Sequence, residues 1–304
     1  MKILITGAAG HIGSYLVRNL KKKTKKKIQI LFLDNFLSNK YNSLFELENK
    51  TFFFNIDLSS CKIGDIPNSD IVIHLAAKTD AAQSSKHRRE FYDNNLAATK
   101  KIIEYCKIKN KMLIFASSTS VYGPQSEWVD ENCNKKDLNP QSPYADIKLQ
   151  EEKLIKKKLK KFIILRLGTI YGYSPGIRFH TAVNKFCFQS ATNQPLTVWK
   201  FAYNQKRPYL SLEDLNRSIS FILNNNIPIK TTYNILSENY TVKNIIDTIK
   251  KIKKRVRIKK VSNKIMNQLS YNVSNKKFCS LGFKFKSNLD KDIKITLKKL
   301  RNLK

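Results

Sequence analysis

A chain of 304 residues, 41% hydrophobic and 11% aromatic, is long enough to bury a large core and reads as one large domain or two closely joined lobes. It has no apolar run of about 18 residues and opens on a strand rather than a leader, so no membrane contact and a cytoplasmic location are expected. The formal charge of +34 would suit a nucleic-acid partner, but only ten of the 57 basic residues are Arg and no aromatics are interleaved with the lysine clusters, so the charge reads as solvated surface.

The first strand, residues 2–6, ends in Gly7, Gly10 and Gly13, with a helix expected over 11–22. Strand, glycine turn and helix follow in the order a dinucleotide pyrophosphate needs. Gly7 permits a tight turn, Gly10 carries no Cβ to block phosphates, and Gly13 lets the helix lie close on the strand. The helix start at His11 and Ile12 adds free N–H groups and partial positive charge. A second buried strand, 28–33, closes on Asp34. That carboxylate can accept hydrogen bonds from adenosine ribose hydroxyls and would repel a 2′-phosphate, so NAD is expected over NADP. The competing role for Asp34 is to cap the following loop.

Strands at 51–55, 70–75, 112–116 and 162–166 and helices near 92–109 and 143–159 continue the alternation. This pattern predicts an α/β fold with a doubly wound parallel sheet of the Rossmann type. The apolar run 71–75 suits a strand buried on both faces, in which His74 reads as a packed core histidine. The strand at 112–116 delivers Ser117 and Ser118 to the same rim as the glycine turn. On the next helix Tyr144 and Lys148 stand at i and i+4, hence on one face. An ammonium beside a phenol lowers its pKa and makes it a usable base.

Beyond about residue 173 the pattern loosens. It predicts a helix over 179–193, short strands at 196–199 and 209–212, a helix over 213–223 and a strand near 233–235. The remainder mixes helix, a basic strand and the stretch 270–285. Residues 1–172 are expected to form the dinucleotide-binding domain, with 207–236 returning to it, and 173–304 mainly a smaller α/β substrate lobe. The five cysteines, Cys61, Cys106, Cys133, Cys187 and Cys279, lack any spacing suited to zinc or a disulfide frame, and no metal is expected.

Taken together, these motifs resemble the extended short-chain dehydrogenase/reductase family, specifically its NAD-dependent nucleotide-sugar epimerases and dehydratases. The matching residues run in order: Thr6-Gly7-x-x-Gly10-x-x-Gly13, Asp57-Leu58, His74-Leu75-Ala76-Ala77, Asn95 and Ser117 through Gly123. Pro143-Tyr144 through Lys148, Leu165-Arg166 through Gly172, and Gln205 through Asp214 complete them. The resemblance implies cofactor contacts from Asp57, Leu58, Leu75, Ala76, Ala77, Asn95 and Ser117, with Asn95 starting a long central helix. It implies Ser118, Tyr144 and Lys148 as the catalytic set and Arg207 as a contact of the substrate diphosphate. Thr169 stands where many 4-epimerases carry Asn. His180 is a candidate substrate contact, and Tyr271 either touches a substrate phosphate or packs the lobe. A homodimer is implied, with Ile102, Ile103 and Leu149 available to a four-helix interface.

Two departures bear on the reaction. Dehydratases of this group carry Asp-Glu directly after the catalytic hydroxyl residue, and decarboxylases a Glu at the second position; this chain has Thr119-Ser120. What remains is reversible redox at a sugar hydroxyl, which suits an epimerase working through a 4-keto sugar. The alternatives are a net oxidoreductase, such as a 4-keto-sugar reductase or dehydrogenase, a dehydratase, and a non-catalytic NAD-sensing or nucleic-acid-binding protein.

Overall fold

The computed structural model describes residues 1–47, 51–123, 128–262 and 271–300, so Ser270 and its upstream neighbours lie outside the described residues. Seven strands build the central sheet: β1 (Lys2–Thr6), β2 (Gln29–Asp34), β3 (Thr51–Asn55), β4 (Ile71–His74), β5 (Met112–Ser118), β6 (Phe162–Leu167) and β7 (Thr231–Ile235). All pairings are parallel and the spatial order is β7-β6-β5-β4-β1-β2-β3, so the winding reverses between β1 and β4.

Alternate residues of each central strand feed two separate apolar layers, as a sheet covered on both faces requires. Ile3, Ile5, Ile30 and Phe32 face a layer that includes Leu16, Val17 and Leu20 of α1 (His11–Lys23). Leu4, Leu31, Leu113 and Phe115 face the opposite layer, built on α2 (Arg88–Ile108) and α3 (Pro143–Lys158). Local chemistry sets the helix ends. Ser142 accepts from the Ala145 N–H at 3.3 Å and Pro143 starts α3, while three lysines occupy its last turn, where the helix dipole favours cations. Ser211 likewise caps α4 (Leu212–Asn224), which has Glu213 and Asp214 in its first turn.

Within 207–236, α4 packs its apolar face on the α1 layer and β7 joins the sheet edge. Lys206–Ser211 instead pairs with Thr169–Tyr171 and Glu238–Thr241 in a separate three-stranded sheet. A third apolar cluster, including Val183, Phe186, Leu196, Ile245, Ile249 and Ile293, is the core of the smaller lobe.

The structure corrects several expectations. Helix α2 begins at Arg88, so Asn95 lies within it rather than at its start; buried Phe91 extends its inner face towards the N-terminus. The helix expected over 179–193 spans Ala182–Ala191, after Thr181 in extended conformation. Ile102, Ile103 and Leu149 are buried within this one chain, and the first two belong to the layer under the sheet. They are not available to a partner.

Candidate active site

A cleft of about 810 Å³ opens at the carboxyl ends of β1, β2 and β4, where the strand order reverses. Gly7, Gly10, His11, Ile12, Gly13, Asp34, Asp57, Leu58, Leu75, Ala76, Ala77 and His180 all line it. Gly7 has φ +65°, and a Cβ there would come within 2.6 Å of the Ala76 nitrogen. A Cβ on Gly13 would meet Ala8 Cα and the Gly7 oxygen at 2.5 Å, so glycine alone lets α1 sit this close to the turn. No side chain caps α1 and no acidic residue occupies its first turn, leaving its N-terminal amides for an anion.

Asp34 caps the loop after β2 and also lines the cleft. Its Oδ2 accepts from the Ala9 N–H at 2.9 Å and its Oδ1 from the Phe36 N–H at 2.8 Å, which closes the loop, while the residue still lines the cleft. Burial raises its carboxyl above the usual value, against the pull of these hydrogen bonds. Asp57 is fixed by the Ser59 N–H and hydroxyl at 2.8 and 2.6 Å and by Asn35 at 3.1 Å. Glycine cradle, uncapped helix and a carboxylate at the end of β2 fit an adenine dinucleotide. His11 donates from Nε2 to the Gly172 carbonyl at 2.8 Å. Burial, then the charge of Arg178, lowers its pKa to about 3, so the ring is neutral.

Ser118, Tyr144 and Lys148, the expected catalytic set, are not among the residues lining this cleft. Ser118 Oγ accepts from the N–H and hydroxyl of Ser120 at 3.1 and 2.8 Å, which leaves the Ser118 proton to donate to a substrate oxygen. Tyr144 sits in the first turn of α3, its N–H donating to Ser84 Oγ at 3.3 Å. One turn on, the Lys148 side chain is 4% exposed, with Nζ 2.9 Å from Glu151 Oε2 and 4.6 Å over the Phe115 ring. Burial alone would lower the Lys148 pKa, but the Glu151 carboxylate and then the Tyr144 phenol outweigh it and hold the ammonium above the usual lysine value. Tyr144 also acts electrostatically on Arg178, so the phenol faces two cations.

On the lobe side, Thr169 stands opposite Tyr209 and Arg207 opposite Tyr240 in the three-stranded sheet. The Tyr271 N–H donates to the Lys206 carbonyl at 3.2 Å, and its hydroxyl bonds Thr119 within the field of Arg207. Tyr271 thus connects the Arg207 strand to the serine turn. His180 is exposed at the cleft mouth. Two expected cofactor residues turn inward. Ser117 donates to Glu152 at 2.6 Å, because that carboxylate also anchors Arg166 through a bidentate pair at 2.9 and 2.7 Å. The Asn95 side chain is spent on the main chain of Lys78, at 2.7 and 3.0 Å, and clamps the loop after β4.

Sequence reading missed three features. Glu151, at i+3 from Lys148, was visible on the same helix face. Lys40 Nζ donates to the Ile177 carbonyl at 3.1 Å, tying the loop after β2 to the segment after residue 172. Arg178 lines the cleft, donates to Thr79 Oγ1, and has an Nε without a partner among the described residues. Neither basic residue belongs to a periodic element, so no pattern marks it.

Comparison with known proteins agrees with this geometry. The model of the NAD-dependent epimerase/dehydratase family matches residues 3–235. A Bacillus subtilis (strain 168) protein named uncharacterized UDP-glucose epimerase YtcB is 31% identical over 287 residues, 89% of this chain and 88% of that one. The dTDP-D-glucose 4,6-dehydratase of Dictyostelium discoideum is 35% identical over 83% of this chain, which spans 61% of that protein. The solved structure of UDP-glucuronic acid 4-epimerase from Bacillus cereus with UDP-glucuronic acid and NAD superposes with a TM-score of 0.88 at 25% identity, covering 100% of both chains.

Proposed function

The chain belongs to the NAD-dependent epimerase/dehydratase family, and on that premise we propose that it is a nucleotide-sugar 4-epimerase with Tyr144 as the base. Tyr144 takes the proton of the sugar C4 hydroxyl, Lys148 stabilises the phenolate, and Ser118 donates to the same oxygen. When bound along Gly7–Gly13 and Asp34, NAD supplies a reversible hydride acceptor at C4. The 4-keto sugar then presents its other face, and Tyr144 returns the proton. The lobe residues Thr169, Arg207 and Tyr271, with His180, hold the nucleotide sugar.

The observation that carries this reading is the pair of hydroxyls following Ser118. Thr119 is buried and donates to the Leu167 carbonyl at 3.3 Å, and Ser120 is engaged with Ser118. Neither supplies the carboxylic acid and carboxylate that eliminating water from the sugar requires. Incubating the enzyme with UDP-, GDP-, CDP- and dTDP-sugars and reading products by NMR tests it. C4 inversion supports the reading, and a 4-keto-6-deoxy product overturns it.

Arg178 favours a sugar that carries its own carboxylate. A cation beside Tyr144, acted on by Asp80 but with an Nε that has no partner among the described residues, suits a further anion, and the similarity to a UDP-glucuronic acid 4-epimerase supports this choice. Higher kcat/KM for UDP-glucuronate than for UDP-glucose, lost in Arg178→Ala, is the expected result. Equal values for both sugars contradict it.

A homodimer, a cytoplasmic setting and a place in carbohydrate metabolism, such as polysaccharide biosynthesis, complete the proposal. The outer face of α2 and α3 left for a two-fold contact carries Tyr92, Lys100, Glu104, Gln150 and Lys153. Tyr92 already donates to Gln150 at 3.1 Å, holding the two helices together.

A further inference from the structure

A buried polar chain runs from the glycine turn to the catalytic lysine. Thr6 Oγ1 lies 2.7 Å from His74 Nδ1, and His74 Nε2 lies 3.1 Å from Thr99 Oγ1. Thr99 donates to Glu151 Oε1 at 2.5 Å, and Glu151 Oε2 meets Lys148 Nζ at 2.9 Å. Thr6, His74, Thr99 and Glu151 are each no more than 1% exposed. Apart from Lys148, Oε2 has no partner among the described residues.

Only one arrangement of protons satisfies this chain. A carboxylate accepts and cannot donate, so the Thr99 hydroxyl gives its proton to Glu151. Thr99 oxygen must then accept from His74 Nε2–H, which leaves Nδ1 bare to accept the Thr6 proton. The Thr6 oxygen in turn accepts from the N–H groups of Leu75 and Ala76, both at 3.2 Å, on the cleft floor. Burial, then the charge of Lys148, lowers the His74 pKa to about 3, in keeping with a neutral ring.

We propose that Glu151 is a positioning residue for Lys148: its carboxylate fixes the ammonium and offsets part of the ammonium's field on Tyr144, and it is itself held by the Thr99–His74–Thr6 chain anchored at the cofactor turn. The inference rests on the reading of Tyr144 as base and Lys148 as its electrostatic partner. Nothing in the family resemblance supplies Glu151. The neighbouring Glu152 is committed to Arg166 and Ser117 and leaves Lys148 to Glu151 as its close counter-ion.

A carboxylate 2.9 Å from a buried ammonium holds its proton against burial and tempers its field at the neighbouring phenol. Glu151 therefore keeps Lys148 charged and in place. The other charges facing this group are Arg178 and Asp80 from the cleft wall, Glu152 on the same helix with its partner Arg166 of β6, and neutral His74 of β4.

The test uses full-length enzyme with NAD bound. In wild type, ¹⁵N spectra of labelled imidazoles should show His74 as the neutral Nε2–H tautomer, still unprotonated at pH 5. An Nδ1–H tautomer, or protonation near pH 6, overturns the chain. Glu151→Gln keeps the shape and removes the charge. Its amide oxygen turns to Lys148 and its NH₂ to Thr99, so Thr99 must donate to His74 and the ring should switch to Nδ1–H. In ¹⁵N spectra of labelled lysine, the Lys148 Nζ should lose its proton at lower pH than in wild type, because the carboxylate that holds the ammonium against burial is gone. Glu151→Met should move this titration the same way, and either neutral variant that folds suffices. An unmoved Lys148 titration with an unchanged His74 tautomer overturns the proposal. The tautomer needs no turnover, so its failure is distinguishable from failure of the base assignment, which Tyr144→Phe alone decides.

Discussion

Tyr144 is the group on which the chemistry turns, and its removal has a defined expected cost. Tyr144→Phe keeps the ring and α3 but removes the only group assigned to take the hydroxyl proton. Turnover should fall about 10²–10⁴-fold with NAD affinity nearly unchanged, measured by steady-state kinetics and calorimetry. Lys148→Met should do comparable harm, whereas Ser118→Ala should be milder, because the Ser120 hydroxyl 2.8 Å away can partly replace it. Asp34→Ala should narrow the preference for NAD over NADP; equal affinities in wild type would contradict the ribose assignment. These residues were legible because each sits at a fixed spacing from its neighbours in the chain. The bond between Thr99 and Glu151 was not, because it joins residues 52 apart and exists only once α2 and α3 pack side by side. Ser117 was legible in position but not in direction, since the carboxylate that draws its hydroxyl inward belongs to another element.

Elements explain why the glycine turn tolerates so little change. In Gly13→Ala the new Cβ would sit 2.5 Å from backbone atoms of Gly7 and Ala8, which cannot swing aside as a side chain can. A cost of about 1–3 kcal/mol in urea unfolding, with NAD affinity lost as α1 tilts away, is expected. The strands of the central sheet were readable as apolar runs buried on both faces, and α1 and α3 as periodic segments with clear ends. The lobe was harder. Leu196–Trp199 lies where a strand was expected, but its partner Ile258–Val261 is four residues long, pairs across distant sequence and shares a core with helices, so it read only as an unplaced basic strand. Burial of Ile102, Ile103 and Leu149 was also hidden, since an apolar helix position faces inward or outward according to what lies beneath it. The proposed dimer must therefore use the outer, polar face of α2 and α3. Light scattering at micromolar concentration should give the mass of two chains, and the mass of one chain contradicts it.

At the scale of the whole molecule, two buried neutral histidines link folding to pH. His11 and His74 both have pKa values near 3 in the fold, against an ordinary 6.5. Between those values the unfolded chain binds protons that the native chain refuses, so stability is full above about pH 6.5 and falls as pH drops towards 3. Asp292, raised to about 6 by burial and then by Asp214, opposes this over part of the range. Denaturant melts from pH 7 to 4 should show the loss, and His74→Gln should reduce its slope by about one proton. A slope unchanged by the substitution would contradict a neutral His74. Lys40 also ties the loop after β2 to the segment before Arg178, at the side of the cleft. The most direct test follows the hydrogen itself. With the accepted nucleotide sugar deuterated at C4, the label should remain at C4 in both epimers through many turnovers, with no NADH accumulating in solution. Stoichiometric NADH, or loss of the deuterium from C4, would show a net dehydrogenase or another carbon and contradict the epimerase assignment.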